Sequence, residues 1–174
     1  MKQVRLFLLR GQYGIGSGMN TLANMLRPYG TVSVHQWYER DTIVGQARAF
    51  QSDGTDRVVI IIGYSLGGNQ APDYGDDLPH CDLSISYDPS IYSPLCVNGV
   101  QPVSSKIRLA LCYFNTASWL ARGAYGGARL SGRNVIERQF SGFHLTAHMR
   151  MDLHAWTVKY VRQTVNGMTV IAAK

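Results

Sequence analysis

Residues 57–68, Arg57-Val58-Val59-Ile60-Ile61-Ile62-Gly63-Tyr64-Ser65-Leu66-Gly67-Gly68, decide how the rest of the chain is read. Val58 to Ile62 are apolar and β-branched without interruption, the pattern of a central parallel strand covered on both faces. Gly63 to Gly67 then fits G-x-S-x-G, the nucleophile elbow. A serine at the tip of a sharp strand-to-helix turn brings its neighbours at minus two and plus two together, and only glycine leaves room for them. The turn lifts the hydroxyl above the sheet, and the helix that follows aims its N-terminus at any oxyanion formed there.

Working outward from this stretch, strands alternate with helices. Val4–Leu9 reads as the first strand, followed by a glycine-rich loop and a helix over Met19–Leu26 stopped by Pro28. Thr31–His35 is a short strand and Asp41–Phe50 a helix with Ile43, Val44, Ala47 and Phe50 on one face. The helix after the elbow carries Pro72 in its first turns, so a short one is expected, to about Tyr74. Leu83–Tyr87, Ile107–Phe114 and Asn134–Phe140 are further strands. Residues 89–105 and 115–132 read as loops, and Asp152 caps a last helix with Leu153, Trp156, Tyr160, Val161 and Val165 in one stripe. The expected fold class is α/β, one three-layer α/β/α domain spanning residues 1–174 around a mostly parallel sheet of about five to six strands. The glycines at 11, 14, 16 and 18 do not make a G-x-G-x-x-G, no acidic residue ends the second strand, and no P-loop pattern occurs, so neither nucleotide nor other cofactor is implied.

Ser65 needs a base to take its proton and an acid to orient that base. In a doubly wound sheet such groups gather at the carboxyl ends of strands. Asp88 immediately follows the strand after the elbow, and His144 and His148 follow the last strand, giving the chain order Ser, Asp, His. Asp82 and Asp73 are weaker candidates for the acid. His154 falls inside the last helix and is expected at the surface, and His35 and His80 are expected to be structural or solvated.

With GYSLGG, YDPS and a late histidine before a terminal helix, the chain resembles serine hydrolases of the α/β-hydrolase fold, in particular small lipase- and esterase-like members of cutinase size without a lid. The resemblance spans about Val4 to Val165. It implies Ser65 as nucleophile, Asp88 as acid and His148 as base, with His144 the alternative. It further implies an oxyanion hole from the backbone N–H groups of Leu66 and of Gln12, with Tyr13 the fallback for the second. Family members often carry His-Gly at this first turn, where this chain has Arg10-Gly11. The implied activity is cleavage of carboxylic esters through an acyl-enzyme; thioester, amide or acyl-transfer chemistry at the same triad, or a binding protein that keeps the fold, are the alternatives.

Only 22 residues separate Ser65 from Asp88, which leaves no room for a cap inserted between them. Tyr13, Tyr64, Tyr92 and Trp119 are candidate substrate contacts, with Ile91, Leu95, Leu120 and Tyr125 as further loop residues over an open, shallow site. The expected partner is a small-molecule or lipid-like ester. The formal charge of +6 is scattered rather than blocked, which argues against a nucleic-acid arm but allows weak attraction to anionic surfaces. Cys81, Cys96 and Cys112 are odd in number and widely spaced, so neither a disulfide framework nor a metal site is indicated. Arg5 interrupts the N-terminal apolar run and no small-residue cleavage site follows, so this segment reads as a strand and a cytoplasmic location is expected. The sequence does not fix the oligomeric state.

Overall fold

In this computed structural model the described residues are 2–12, 17–54, 56–115, 127–140 and 151–167. The chain order is β1 (Gln3–Leu9), α1 (Ser17–Leu26), a 3-10 turn at Arg27–Tyr29, β2 (Thr31–His35), α2 (Arg40–Ser52), β3 (Arg57–Tyr64), α3 (Leu66–Asp76) and β4 (Leu83–Tyr87). There follow β5 (Val100–Pro102), β6 (Ala110–Asn115), β7 (Arg129–Ser131), β8 (Val135–Phe140) and α4 (Met151–Val165). Among these residues the main sheet has six strands in the order β2-β1-β3-β4-β6-β8, and its neighbours pair in parallel.

Alternation along the strands builds two cores. Val4, Leu6 and Leu8 of β1 and Val58, Ile60 and Ile62 of β3 face α1 and α4, meeting Leu22, Leu26, Tyr160 and Val161. Phe7 and Leu9 with Val59 and Ile61 face the other way, onto Ile43 and Ala47 of α2 and Ala71 and Tyr74 of α3. The unbroken β-branched run in β3 is thus explained by burial on both faces, giving the three-layer α/β/α architecture expected. The chain leaves β1 for β2, then crosses back over β1 to β3. The strand order therefore reverses between β1 and β3, the place at which open α/β sheets bind their ligands outside the carboxyl ends of the strands.

Three stretches differ from the sequence expectation. The helix after the elbow runs eleven residues, through Pro72 to Asp76. A proline there removes the N–H that would reach the carbonyl of Gly68 four residues back. The buried Ser86 hydroxyl on β4 donates to that carbonyl instead, at 2.6 Å, so the helix continues. The expected loop 89–105 contains a tight hairpin, with Val97 and Val100 exchanging backbone bonds of 2.8 and 3.0 Å. Asn98 and Gly99 occupy its tip at φ 52° and 74°, the pairing that a two-residue hairpin with both tip residues left-handed demands. The hairpin leads into β5, which pairs in parallel with β7, itself inside the expected loop 115–132. Finally β6 begins at Ala110, three residues later than expected, because Ile107 makes only an isolated bridge to Cys81. Among the described residues no helix is long and apolar enough to cross a membrane.

Candidate active site

Ser65 stands where β3 turns into α3, with φ 53° and ψ −121°. A non-glycine residue in this sparsely populated region costs about 1 to 3 kcal/mol and persists only where its surroundings impose it. The surroundings here are the two flanking glycines. A Cβ placed on Gly63 would lie 1.8 Å from the carbonyl oxygen of Gly67, and one on Gly67 would lie 2.7 Å from the carbonyl oxygens of both Leu9 and Arg10. The turn closes so tightly that neither position admits a side chain. The backbone N–H of Ser65 donates to the carbonyl of Tyr87 at 2.9 Å, and Asn69 N–H closes the first helical bond to the carbonyl of Ser65 at 3.2 Å. The N–H groups of Leu66, Gly67 and Gly68 precede that bond and have no intrahelical acceptor, so they form the positive end of α3 beside Ser65.

The turn after β1 lies against the elbow. Gly11 packs directly on the elbow, such that an added Cβ would stand 3.1 Å from Cβ of Ser65 and 3.1 Å from the ring of Tyr64. Gln12, next in the chain, is exposed. The sequence-based donors Leu66 and Gln12 are thus on the two segments that converge at Ser65. Tyr13 lies outside the described residues.

Asp88 follows β4 directly, in register beyond the Tyr64–Tyr87 pair, and is 1% exposed. Its φ of 43° is left-handed, a conformation that aspartate tolerates better than most residues. Its N–H donates to the carbonyl of Tyr113 at 2.6 Å. Its Oδ1 accepts the N–H of Gly127 at 2.8 Å, and the next amide, of Ala128, donates to the carbonyl of Pro89 at 2.9 Å. The segment entering β7 therefore lies across the acid. Burial, with the nearby Asp88 carboxylate, raises the Tyr64 phenol well above its usual range, so Tyr64 is neutral.

Of the sequence-predicted residues, Ser65 and Asp88 end adjacent parallel strands at the same edge of the sheet. His148, His144 and Trp119 lie outside the described residues. Among the substrate candidates, Tyr64 is buried in the core beneath Gly11, whereas Tyr92 is 62% exposed. The weaker acids have other employment. Asp82, at the opposite end of β4, accepts Val59 N–H at 2.9 Å and faces Arg108 at 3.3 Å, and Asp73 is paired with Arg40. His35 is structural, held by Glu39 at 2.9 Å and Ser33 at 2.8 Å.

His154 is corrected: it is 8% exposed, not a surface residue. Burial lowers its pKa, and among the described residues its Nδ1 has no hydrogen-bond partner. Cys81 and Cys112 are buried, and burial pushes both thiols up, Cys81 to about 12. Neither is a thiolate at neutral pH.

One buried group escaped the sequence reading. Asn69, fully buried in the first turn of α3, accepts Ser90 N–H on Oδ1 at 2.8 Å and donates from Nδ2 to Gln101 Oε1 at 3.1 Å. A polar residue four positions beyond the elbow serine, where a helix packs on a sheet, is the signal that could have found it.

A six-stranded parallel sheet between helices, with a strained serine turn after the strand at the switch point and an aspartate after the next strand, has the α/β-hydrolase fold. Solved structures agree. The chain is similar to a protein assigned to the α/β superfamily of hydrolases from Xanthomonas campestris pv. campestris, with 14% identity, TM-score 0.56, and 94% of this chain and 99% of that one covered. It is also similar to 2,6-dihydroxy-pseudo-oxynicotine hydrolase, with 12% identity and TM-score 0.66 over 98% of this chain and 63% of that one, so it spans less than two thirds of that protein's length. RedJ, solved with a polyethylene glycol molecule in its active site, matches at 10% identity and TM-score 0.59, with 92% and 90% covered. At these identities the likeness is one of fold. No family model matches the chain, and no curated protein matches it in sequence.

Proposed function

We propose that this chain is a serine hydrolase that cleaves carboxylic esters through Ser65, with Asp88 as the acid and His148 as the base, His144 being the alternative. The observation that carries the reading is the backbone of Ser65, strained at the tip of a turn that two glycines make possible, at the switch point of the sheet. A turn serine with no task would relax to an ordinary conformation or give way to glycine.

In the proposed reaction the histidine takes the Ser65 proton as Oγ attacks the ester carbonyl. The backbone N–H groups of Leu66 and Gln12 hold the oxyanion, each donor being worth roughly 3 to 4 kcal/mol of barrier. The imidazolium returns the proton to the departing alcohol, leaving the acyl group on Ser65, and water then releases it by the same steps. Asp88 holds the imidazole tautomer and stabilises its charged form. The 22 residues between Ser65 and Asp88 leave no room for an inserted cap there, which favours short or bulky exposed esters over a long acyl chain in a tunnel.

Ser65→Ala is expected to cut hydrolysis of p-nitrophenyl butyrate by roughly 10⁴-fold or more while the protein stays folded. Unchanged turnover would remove Ser65 as nucleophile. His148→Ala should match that loss and His144→Ala should retain most activity; the reverse pattern assigns the base to His144. Acyl-thioester and anilide analogues run beside the ester measure the leaving-group preference.

A further inference from the structure

The acid and the nucleophile sit on different strands, and the loop that follows the acid is long. Something must hold the two in register. The segment from Pro89 to Ser105 contains no charged residue, so ion pairs cannot fix it. Its anchor is Asn69. Oδ1 of Asn69 accepts the N–H of Ser90, two residues beyond Asp88. Nδ2 donates to Gln101 Oε1 at 3.1 Å and also reaches Cys96 Sγ at 3.3 Å. Gln101 answers from Nε2 to the backbone carbonyl of Asn69 at 2.9 Å. Both amides are buried, at 0% and 3% exposure, where an unmade hydrogen bond is most costly.

The consequence runs round a closed path. Asn69 is one helical turn from Ser65, joined to it by its own backbone bond. Gln101 is the central residue of β5, in register with Leu130 of β7. The chain entering β7 delivers the N–H of Gly127 to the Asp88 carboxylate. The Asn69–Gln101 pair therefore grips the acid from two sides, through Ser90 in its own backbone and through β5, β7 and Gly127 at its carboxylate.

We propose that Asn69 and Gln101 form a buried amide clasp that sets the position of the Asp88 carboxylate relative to Ser65. They are positioning residues, since neither reaches the reacting atoms. The proposal rests on the hydrolase reading only for its kinetic consequence. If Asp88 drifts, the base loses its anionic partner. Its pKa falls, and turnover suffers from misplacement rather than from weaker binding.

The test uses Asn69→Leu and Gln101→Leu in the full chain, with Asn69→Asp as a gentler variant that keeps the acceptor for Ser90. Amide hydrogen exchange at Gly127, read by NMR, reports the Asp88 bond whether or not any ester is cleaved. Exchange there should accelerate about tenfold or more in each leucine variant, and less in Asn69→Asp. Turnover per phosphonate-titrated Ser65 should fall about tenfold or more with KM nearly unchanged. The acid limb of the pH profile should move down by about one unit. The double leucine variant should be no worse than either single, because the two amides act as one unit. Wild-type Gly127 protection in the leucine variants, or in Asn69→Asp should those not fold, overturns the clasp. So does lowered thermal stability with an unmoved pH midpoint, which is what a merely structural pair would give. Accelerated exchange in a protein whose wild type cleaves no ester would instead sustain the clasp and sink the hydrolase reading.

Discussion

At the scale of single residues the elbow is a balance between strain and room. Ser65 at φ 53° stores about 1 to 3 kcal/mol. Replacing it by alanine removes the hydroxyl but keeps the strain. Glycine sheds the strain and gives back about 0.4 to 1 kcal/mol through a freer unfolded chain. Relief wins, so Ser65→Gly should be more stable than Ser65→Ala by about 1 kcal/mol, or roughly 2 to 4 °C in Tm. Equal melting points for the two variants would show that the turn imposes no strain. Gly63 has no such tolerance. With the Gly67 carbonyl oxygen 1.8 Å from the site of its missing Cβ, Gly63→Ala should cost about 4 kcal/mol or more, or prevent folding, as measured by denaturant titration. Both glycines were legible in the sequence because the motif is itself a steric statement. The left-handed backbone of Asp88 was not, since an Asp-Pro pair fits several turn geometries.

At the scale of elements, α3 shows how one side chain rescues a helix from its own sequence. Pro72 cannot donate to Gly68, and Ser86 on β4 does so instead. Ser86→Ala should therefore cost about 1 to 3 kcal/mol, the penalty for an unsatisfied buried carbonyl. In a Ser86→Ala, Pro72→Ala double variant the new N–H at 72 can reach Gly68 again, and most of that loss should return. Additive losses across the cycle, read from chemical denaturation, would contradict this account. Local pattern foretold a short helix because the partner that prolongs it lies on another strand, fourteen residues beyond Pro72. β5 and β7 escaped for the same reason. Each has three residues, too few for periodicity, and each exists only through the other. The Asn98-Gly99 tip between two valines was, by contrast, a local hairpin signal present in the sequence all along.

At the scale of the whole molecule, β1, β3 and β4 were legible from apolar runs, because burial on both faces of a parallel sheet writes itself into composition, and the edge strand β2, with no fully buried residue, from its short alternation of valines with polar residues. What the sequence leaves implicit is which polar groups the packing encloses. His154 is enclosed, and its folded pKa lies below the ordinary value of about 6.5. Above that pH the histidine is neutral in both states and full stability is present. As pH falls through about 6.5 the unfolded chain takes up a proton first, and stability is lost until the folded pKa is reached. Tm should thus drop between pH 7 and pH 5, with a shallower drop in His154→Leu; identical slopes would mean that His154 is not held neutral by burial. The central proposal is that Ser65 is an activated nucleophile, and one measurement addresses it most directly. The wild-type protein treated with a fluorophosphonate probe at neutral pH and mapped by peptide mass spectrometry should carry a single stoichiometric adduct on Ser65, absent after Ser65→Ala. A folded wild-type protein left unlabelled at Ser65, or labelled elsewhere to the same extent, would contradict the account.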